Sequence, residues 1–453
     1  MAETNGSLPY DLLFMLLNFL IDDKLSLYRA TLINWEFNRA ASRVLYSHII
    51  LSPAFEPNGN MEDPEFGTLL TSASLSHNAP HVHVLRIGGF FSTRFMPPDF
   101  EALLVAVTKA FSNLHTVEIL PEVALRSDFF TAFLVELRNR TGLVTLRVNC
   151  SCVDEESAPI LTKLVGLRKL ELKSPGRAIL QLLPEWLGRL PLLRELHLTS
   201  NCGSVTPGVL RSFLPNLPKI TAISFGLSYS ITDADLFGFL GQLPCLETAR
   251  LQHYLQFKQS EIEHRMERLR SLTVLHHPVD DPDSADRICA WVVRAISTSP
   301  IERIQLCCDE FDDSDSAPRS FDALVEHVSR THATTLTTLD LGGWLLSASS
   351  ISFLFNACTK LQEFAAALDT VGFELFTSLL PAVPVHTAVL QVCGPFSVFA
   401  ADAARIMLSS RALRRLSVNG LRTEVRGVFL LVRSAPIYPC RGPGFRRATV
   451  FAS

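Results

Sequence analysis

A short apolar pattern that returns along most of this 453-residue chain constrains its fold more than any other feature. The pattern consists of an apolar residue, two others, a second apolar residue, one other, and a third apolar residue. Its fullest copy is LRELHLTSN at 193–201. Thirteen copies begin at positions 82, 114, 143, 167, 193, 220, 246, 272, 301, 336, 361, 385 and 413, at intervals of 24 to 35 residues. This recurrence indicates that the chain is built from one repeated unit.

The full copy matches L-x-x-L-x-L-x-x-N, the signature of a leucine-rich repeat. Helical patterns lie between the copies, such as AILQLLPEWLGRL from Ala178 to Leu190. One strand-and-helix unit cannot bury its apolar stripe, whereas stacked units form a continuous core. The sequence therefore predicts an α/β fold in which residues 81–434 form an irregular leucine-rich-repeat solenoid, with a parallel sheet on the concave face and helices on the convex face. An ordinary α/β domain is the alternative, which the short spacing disfavours.

The concave face is the first candidate binding surface. Strand side chains alternate, so the third, fifth and seventh positions of each copy are expected to face this side. In the middle repeats these positions carry a mixture of charges, as expected for a surface that binds a protein target and also for any solvated sheet face. The candidate target-binding residues are Arg147, Asn149, Lys169, Glu171, Lys173, Glu195, His197 and Arg250.

The start of the chain carries a second feature, the apolar run from Leu12 to Leu20. No Lys or Arg precedes this run and two Asp residues follow it, which disfavours a secretory signal. The run is also shorter than the roughly 20 apolar residues that cross a membrane. Pro9 fits the first turn of a helix. A helix that is apolar on nearly every side must be covered on nearly every side.

Two further helical patterns follow the run. Leu25, Tyr28 and Leu32 share one helical face, and a clean amphipathic stripe extends from Phe37 to Leu45. Three short helices bury too little surface to cover the apolar run by themselves. The sequence therefore predicts that a partner covers part of this region.

The order LPYDLL, SLYRATLI, an aromatic pair and LYSHIIL, from Leu8 to Leu51, resembles the F-box, and specifically fungal F-box proteins in which an LY-x-x-I-x-L stretch closes the motif. The resemblance implies a three-helix module, assigned to residues 1–51, that binds a Skp-family adaptor and through it a cullin. Family members often have Val, then Cys or Ser, then Lys or Arg before the aromatic, where this chain has Ile33-Asn34-Trp35-Glu36. The adaptor-binding residues that the resemblance implies are Leu8, Pro9, Leu12, Leu13, Leu16, Leu20, Leu27 and Leu32.

The resemblance further implies a substrate-receptor subunit of a Skp-cullin ubiquitin ligase, which is not itself an enzyme. The alternative is a leucine-rich-repeat scaffold without a ligase role, whose N-terminal helices cap the solenoid. A hydrolase is a distant third interpretation, because no nucleophile-and-base arrangement is visible.

Three segments interrupt this organisation. Residues 52–80 are rich in Pro, Asn, Ser and Gly and are predicted to be a linker. The acidic stretch 309–316 is predicted to be a solvated loop, because it lacks the Gly and Glu positions of a calcium loop. Residues 435–453 abandon the repeat pattern and are expected to be disordered.

Composition limits the partners further. The net charge of -4 gives no overall attraction to nucleic acid or to an anionic membrane. The ten Cys are scattered without a C-x-x-C pair, and neither a phosphate-binding loop nor a zinc motif occurs. We therefore expect no cofactor, no metal, no nucleic acid and no membrane partner, and a cytoplasmic and/or nuclear protein whose partners are an adaptor and an unknown target protein.

Overall fold

A computed structural model gives the structure for residues 8–52, 66–89, 100–121, 131–254, 265–279, 281–308, 320–394, 400–426 and 429–434. The chain divides into two compact units, residues 1–217 (unit 1) and residues 218–453 (unit 2). The acidic stretch 309–316 and the predicted tail 435–453 lie outside the described residues.

Unit 1 begins with three helices, α1 (Tyr10–Asn18), α2 (Lys24–Thr31) and α3 (Trp35–Leu45). The side chain of Asp23 accepts a hydrogen bond from the Ser26 N–H at 3.0 Å, and that of Asn34 accepts one from the Phe37 N–H at 3.0 Å. These caps fix where α2 and α3 begin. The facing sides of the helices form a small apolar core from Leu13, Leu17, Leu27, Ala30, Ala40, Ala41 and Val44.

The rest of unit 1 alternates strands with helices, and the strands pair in chain order, all parallel. The strands described are β1 (His48–Leu51), β2 (Val84–Gly89), β3 (Thr116–Pro121), β4 (Thr145–Asn149), β5 (Lys169–Lys173) and β6 (Glu195–Asn201). The helices described are α4 (Phe66–Ser74), α5 (Phe100–Ala110), α6 (Thr131–Arg138), α7 (Ala158–Leu161), α8 (Arg177–Gly188) and α9 (Pro207–Phe213).

Unit 2 continues the same alternation and ends in antiparallel strands. Its parallel strands are β7 (Ala222–Leu227), β8 (Thr248–Gln252), β9 (Ser271–His276), β10 (Arg303–Cys308), β11 (Thr338–Leu346), β12 (Glu363–Leu368), β13 (Thr387–Val392) and β14 (Arg415–Val418). The antiparallel strands β15 (Leu421–Arg426) and β16 (Phe429–Ser434) follow. The helices described are α10 (Asp233–Leu240), α11 (Pro282–Ile296), α12 (Asp322–Thr331), α13 (Ala348–Ala357), α14 (Thr370–Leu379) and α15 (Ala400–Ser409).

The repeat pattern sets the register of these strands. In the fullest copy Leu193, Leu196 and Leu198 are all buried, and β6 begins at the third position of the copy. In the other predicted copies, except the one at Leu272, the strand also begins at the third position. The predicted α/β fold of leucine-rich-repeat type, with a parallel sheet and intervening helices, is confirmed within each unit.

The copy that was predicted to begin at Leu272 has the wrong phase. Thr248 on β8 pairs with Ser271, so the third position of this copy is 271 and its first position is Leu269. Leu269, Leu272 and Val274 are buried, whereas Leu275 is only partly buried. Both phases include Leu272. In the correct phase the last apolar position is Val274, whereas in the predicted phase it would be His277.

The first repeat strand begins earlier than the sequence predicted. The LYSHIIL stretch that closes the N-terminal module forms β1, which pairs with β2 from Val84 to Ile87. Ile49 and Leu51 are buried, and Tyr46-x-x-Ile49-x-Leu51 fits the repeat pattern. The three-helix module is therefore joined directly to the sheet of unit 1.

The predicted linker 52–80 also differs from the structure in its second half. Residues 66–74 form α4, in which Leu70 and Ala73 are fully buried. These two residues lie three apart, on one helical face. The surrounding Ser, Thr and Gly residues gave this segment the composition of a linker, although its apolar residues have helical spacing.

Candidate protein-binding surfaces

The first candidate surface is an exposed apolar stripe along α1. Leu12, Met15, Leu16 and Phe19 follow helical spacing, Leu8 lies just before the helix, and all five are exposed, Phe19 to 83% of its full area. The opposite face of α1 is buried in the core of the module. One side of α1 therefore packs within the module, and the core of the module does not cover its other side. This agrees with the sequence prediction.

A second exposed apolar face lies on α2 and the turn that follows it. Leu25, Tyr28 and Leu32 have helical spacing and are exposed, and Ile33 and Trp35 continue the exposed apolar surface along the chain. Trp35 is 71% exposed although it opens α3. Side chains of this size normally turn inward, so their exposure marks a surface suited to a partner.

The predicted adaptor-binding residues separate into two groups. Leu8, Pro9, Leu12, Leu16 and Leu32 are exposed. Leu13 is only 2% exposed, Leu27 is fully buried, and both belong to the core of the module, so neither is part of the exposed apolar surface. Leu20 is partly buried against that core. Six further exposed apolar side chains in the same region were not assigned to the adaptor: Met15, Phe19, Leu25, Tyr28, Ile33 and Trp35.

The concentration of these side chains distinguishes this region from the rest of the described chain. Twenty large apolar residues are exposed among the described residues, and ten of them lie between Leu8 and Trp35. Single exposed apolar residues need no explanation, whereas a concentration of this kind indicates a protein contact. We call these ten residues the N-terminal apolar surface.

The second candidate surface is a charge ladder on the open face of the sheet in unit 1. Arg86 Nε lies 3.6 Å from Glu118 Oε2, and Arg147 Nη1 lies 3.1 Å from Glu118 Oε1. Arg147 also makes a two-pronged contact with Glu171, with Nε–Oε2 and Nη2–Oε1 distances of 2.7 and 3.1 Å. These side chains occupy the fifth position of consecutive repeats, so the parallel register sets cation and anion side by side.

A second, shorter line of charges occupies β5 and β6. Lys169 Nζ lies 2.8 Å from Glu195 Oε2, and His197 Nε2 lies 3.2 Å from the same oxygen. The hydrogen bond with His197, followed by those with Lys169, lowers the pKa of Glu195 to about 2. Burial opposes ionisation of Glu171, but the hydrogen bond and charge of Arg147 outweigh burial and lower the pKa of Glu171. Both carboxylates are therefore ionised at neutral pH.

The remaining residues predicted on this face have different environments. Asn149 is buried and its Nδ2 donates to the Pro121 carbonyl oxygen at 2.6 Å, so it holds the end of β3 instead of facing a ligand. Lys173 in unit 1 and Arg250 in unit 2 are half-buried, and neither forms an ion pair within the described ranges. The open face of unit 1 is therefore largely self-neutralised, and its recognition of a partner would depend on shape and hydrogen bonding as much as on free charge.

The described part of the chain also lacks two other features, a cluster of metal ligands and a membrane-spanning helix. No group of three or more His, Cys, Asp or Glu side chains there could hold a metal ion. No helix among the described residues is long and apolar enough to cross a membrane.

Comparison with known proteins gives distant structural matches. No protein-family model matches the sequence. No curated protein matches it either. A crystal structure of a TLR13–ssRNA13 complex matches with 15% identity and a TM-score of 0.39, covering 76% of this chain and 44% of that one. A crystal structure of the Rad7 and Elc1 complex in yeast matches with 13% identity and a TM-score of 0.41, covering 85% of this chain and 96% of that one. This chain thus spans less than half of the TLR13 chain.

Proposed function

We propose that this protein is the substrate-receptor subunit of a Skp-cullin ubiquitin ligase. The N-terminal apolar surface would bind a Skp-family adaptor, and the open face of the repeat sheet would bind a target protein. The observation that carries this proposal is the ten exposed large apolar side chains between Leu8 and Trp35. The F-box resemblance of Leu8 to Leu51 supports the identity of the adaptor. The role is in line with the cytoplasmic and/or nuclear location expected from the sequence.

The proposed mechanism requires no catalytic group in this chain. The adaptor and cullin would hold the conjugating enzyme, while the repeats hold the target. Linking the two raises the effective concentration of target lysines at the conjugating enzyme. Strands paired in register within each unit suit this task, because they hold the side chains of consecutive repeats side by side on one face.

A leucine-rich-repeat scaffold with no ligase role is the second candidate. The charge ladder on the open face of unit 1 favours it, because an ordered polar face can bind a protein whether or not an adaptor is attached. The two candidates differ in what covers the N-terminal apolar surface.

A capture experiment with a purified Skp-family adaptor and cullin tests the proposal. The parent chain is expected to capture both in stoichiometric amounts. A Leu12→Asp/Leu16→Asp variant is expected to lose capture, because charge would have to be desolvated in an apolar contact. Both side chains are exposed in this chain, so the variant should fold.

Val371→Asp/Leu408→Asp provides the matched control, because these residues are also exposed on helices, α14 and α15, far along the sequence. This control is expected to capture the adaptor like the parent. Failure of a folded parent to capture the adaptor would refute the receptor proposal and leave the scaffold.

A further inference from the structure

A group of cationic side chains gathers where α3 meets the first repeat strands. Arg39 and Arg43 lie one turn apart on α3, and both are exposed. The Arg39 guanidinium lies over the rings of Tyr10 and Trp35, at 5.1 and 5.6 Å from their centroids, and that of Arg43 lies 4.3 Å from the centroid of Phe14. Stacking occupies the faces of a guanidinium and leaves its N–H edge available. Neither Arg forms a salt bridge within the described ranges.

Three histidines in or beside the turn before β2 join these arginines. Burial lowers the pKa of His81, and interactions with Arg43, His83, Arg39 and His77 lower it further, in decreasing order. The imidazole of His81 therefore lies in a locally positive environment.

A stacked pair of imidazoles extends the group onto β2 and the start of β3. The rings of His83 and His115 are 5.4 Å apart and nearly parallel, at 15°. The pKa of His115 is lowered by burial and then by His83. Asn113 supports the pair, because its carbonyl oxygen lies 3.3 Å from His83 Nδ1 and its side-chain amide donates to the Pro80 carbonyl oxygen at 2.7 Å.

The charge ladder in the same unit provides a contrast. In the ladder each Arg faces a carboxylate. Arg86 on β2, for example, forms an ion pair with Glu118 on β3. Neither His81 nor His115 has a carboxylate among the groups that shift its pKa, although the whole chain carries a net charge of -4. Within the described residues, Arg39 and Arg43 are therefore not neutralised by ion pairs in the way that the arginines of the ladder are.

We propose that Arg39, Arg43, His77, His81, His83 and His115 form a docking surface for an acidic peptide segment of a partner protein. The groups lie on several consecutive elements and do not converge on one point, and adjacent strands are about 4.8 Å apart. This arrangement fits a row of carboxylates along an extended chain. A single phosphate would instead need convergent N–H groups, as at a nest or a helix start. Trp35, on which Arg39 stacks, belongs to the N-terminal apolar surface, so this docking surface adjoins the proposed adaptor contact.

Fluorescence anisotropy of a labelled ten-residue peptide of alternating Asp and Glu, titrated with the full chain at pH 7.5 and 5.8, tests the proposal. The affinity is expected to rise a few-fold at pH 5.8, because the carboxylates of a bound peptide favour protonation of His81 and His115, whose pKa values are lowered in the free chain, while the peptide stays charged. Arg39→Gln/Arg43→Gln is expected to weaken binding by about tenfold at both pH values. His81→Gln/His115→Gln is expected to reduce the rise in affinity between pH 7.5 and 5.8.

His386→Gln/Arg414→Gln serves as the matched control, because these exposed residues also lie on adjacent parallel strand segments but belong to unit 2. It is expected to bind the peptide like the parent. Undiminished binding by the Arg39 and Arg43 variant, confirmed as folded by circular dichroism, would overturn the proposal. Displacement of the peptide by a ten-nucleotide RNA at lower concentration than by unlabelled peptide would also overturn it, in favour of a nucleic-acid surface.

Discussion

At the scale of single residues, buried histidines tie the stability of unit 2 to pH. His253 is buried against Trp291, with ring centroids 5.3 Å apart. Burial, followed by the charges of His276 and Arg287, lowers the pKa of His253 to about 4. His276 accepts a hydrogen bond at Nε2 from the Trp344 indole N–H at 3.2 Å, so it too must stay neutral in the folded chain. Protonation of either imidazole therefore opposes folding.

The sign of the pH dependence follows from the lowered pKa of His253. The unfolded chain, in which the pKa of His is about 6.5, takes up a proton before the folded chain does. The stability that neutral His253 contributes is fully present above pH 6.5 and is lost as the pH falls towards 4. From pH 7.5 to 5.0 we expect a loss of about 2 kcal/mol in the free energy of unfolding through this residue.

Urea unfolding followed by tryptophan fluorescence at both pH values measures this loss. His253→Leu is expected to remove the share that His253 contributes, because leucine has a similar volume and does not titrate. An equal loss in the parent and the variant would assign the pH dependence to other groups.

The burial of individual residues on α1 could not be predicted from the sequence. The F-box resemblance grouped Leu13 with Leu12 and Leu16, and a helix that is apolar on nearly every side gives no periodic signal for its inner face that would separate them. Packing against α3 determines which side of α1 is buried. The small residues Ala40 and Ala41, both buried, allow the helices to approach closely. This information belongs to a tertiary contact and is absent from the local pattern of α1.

At the scale of the element, β11 depends on a glycine. This nine-residue strand changes register against β12 between Asp340 and Leu345. Gly342 lies in this irregular part with φ of 58°, and a Cβ there would lie 3.1 Å from the Leu306 carbonyl oxygen. We expect Gly342→Ala to lower the free energy of unfolding by about 1–3 kcal/mol, since it combines a left-handed backbone with a tight contact to a neighbouring strand.

Gly343→Ala is the control for this prediction. The backbone of Gly343 is not left-handed, and a Cβ there would meet only the side chain of Gln391 at 3.6 Å. Its unfolding midpoint in urea is expected to stay close to that of the parent. Equal destabilisation by the two alanines would show that flexibility, and not the conformation of Gly342, matters at this bulge.

The elements were predictable wherever two independent signals agreed. Copies with large apolar residues at all three positions, such as the one at Leu193, gave the correct strand register. The copy near Leu272 failed because two overlapping phases fit the same leucine, and only pairing with β8 separates them. The helix α4 was missed because composition was weighed above the spacing of Leu70 and Ala73. Bulges such as that in β11 carry no repeat signal.

At the scale of the whole molecule, the division at residue 217 had no counterpart in the sequence prediction, which set its boundaries at 51 and 80. The N-terminal module and the first repeats share unit 1 because β1 follows α3 directly and pairs with β2. The N-terminal apolar surface is therefore carried on a folded unit and is not a separate appendage. The exposure of these apolar side chains can therefore be tested with the full chain.

We expect the purified full chain to self-associate through the N-terminal apolar surface. Burying one large apolar side chain stabilises a contact by about 1.5–3 kcal/mol, so even partial pairing of ten such residues offsets much of the entropic cost of association. Leu16→Glu/Phe19→Glu is expected to weaken self-association by about tenfold or more, and Val371→Glu/Leu408→Glu, equally exposed on other helices, to leave it unchanged. Sedimentation velocity over a concentration series measures both effects. A parent that stays monomeric up to about 100 µM would show that these side chains are not sufficient for self-association.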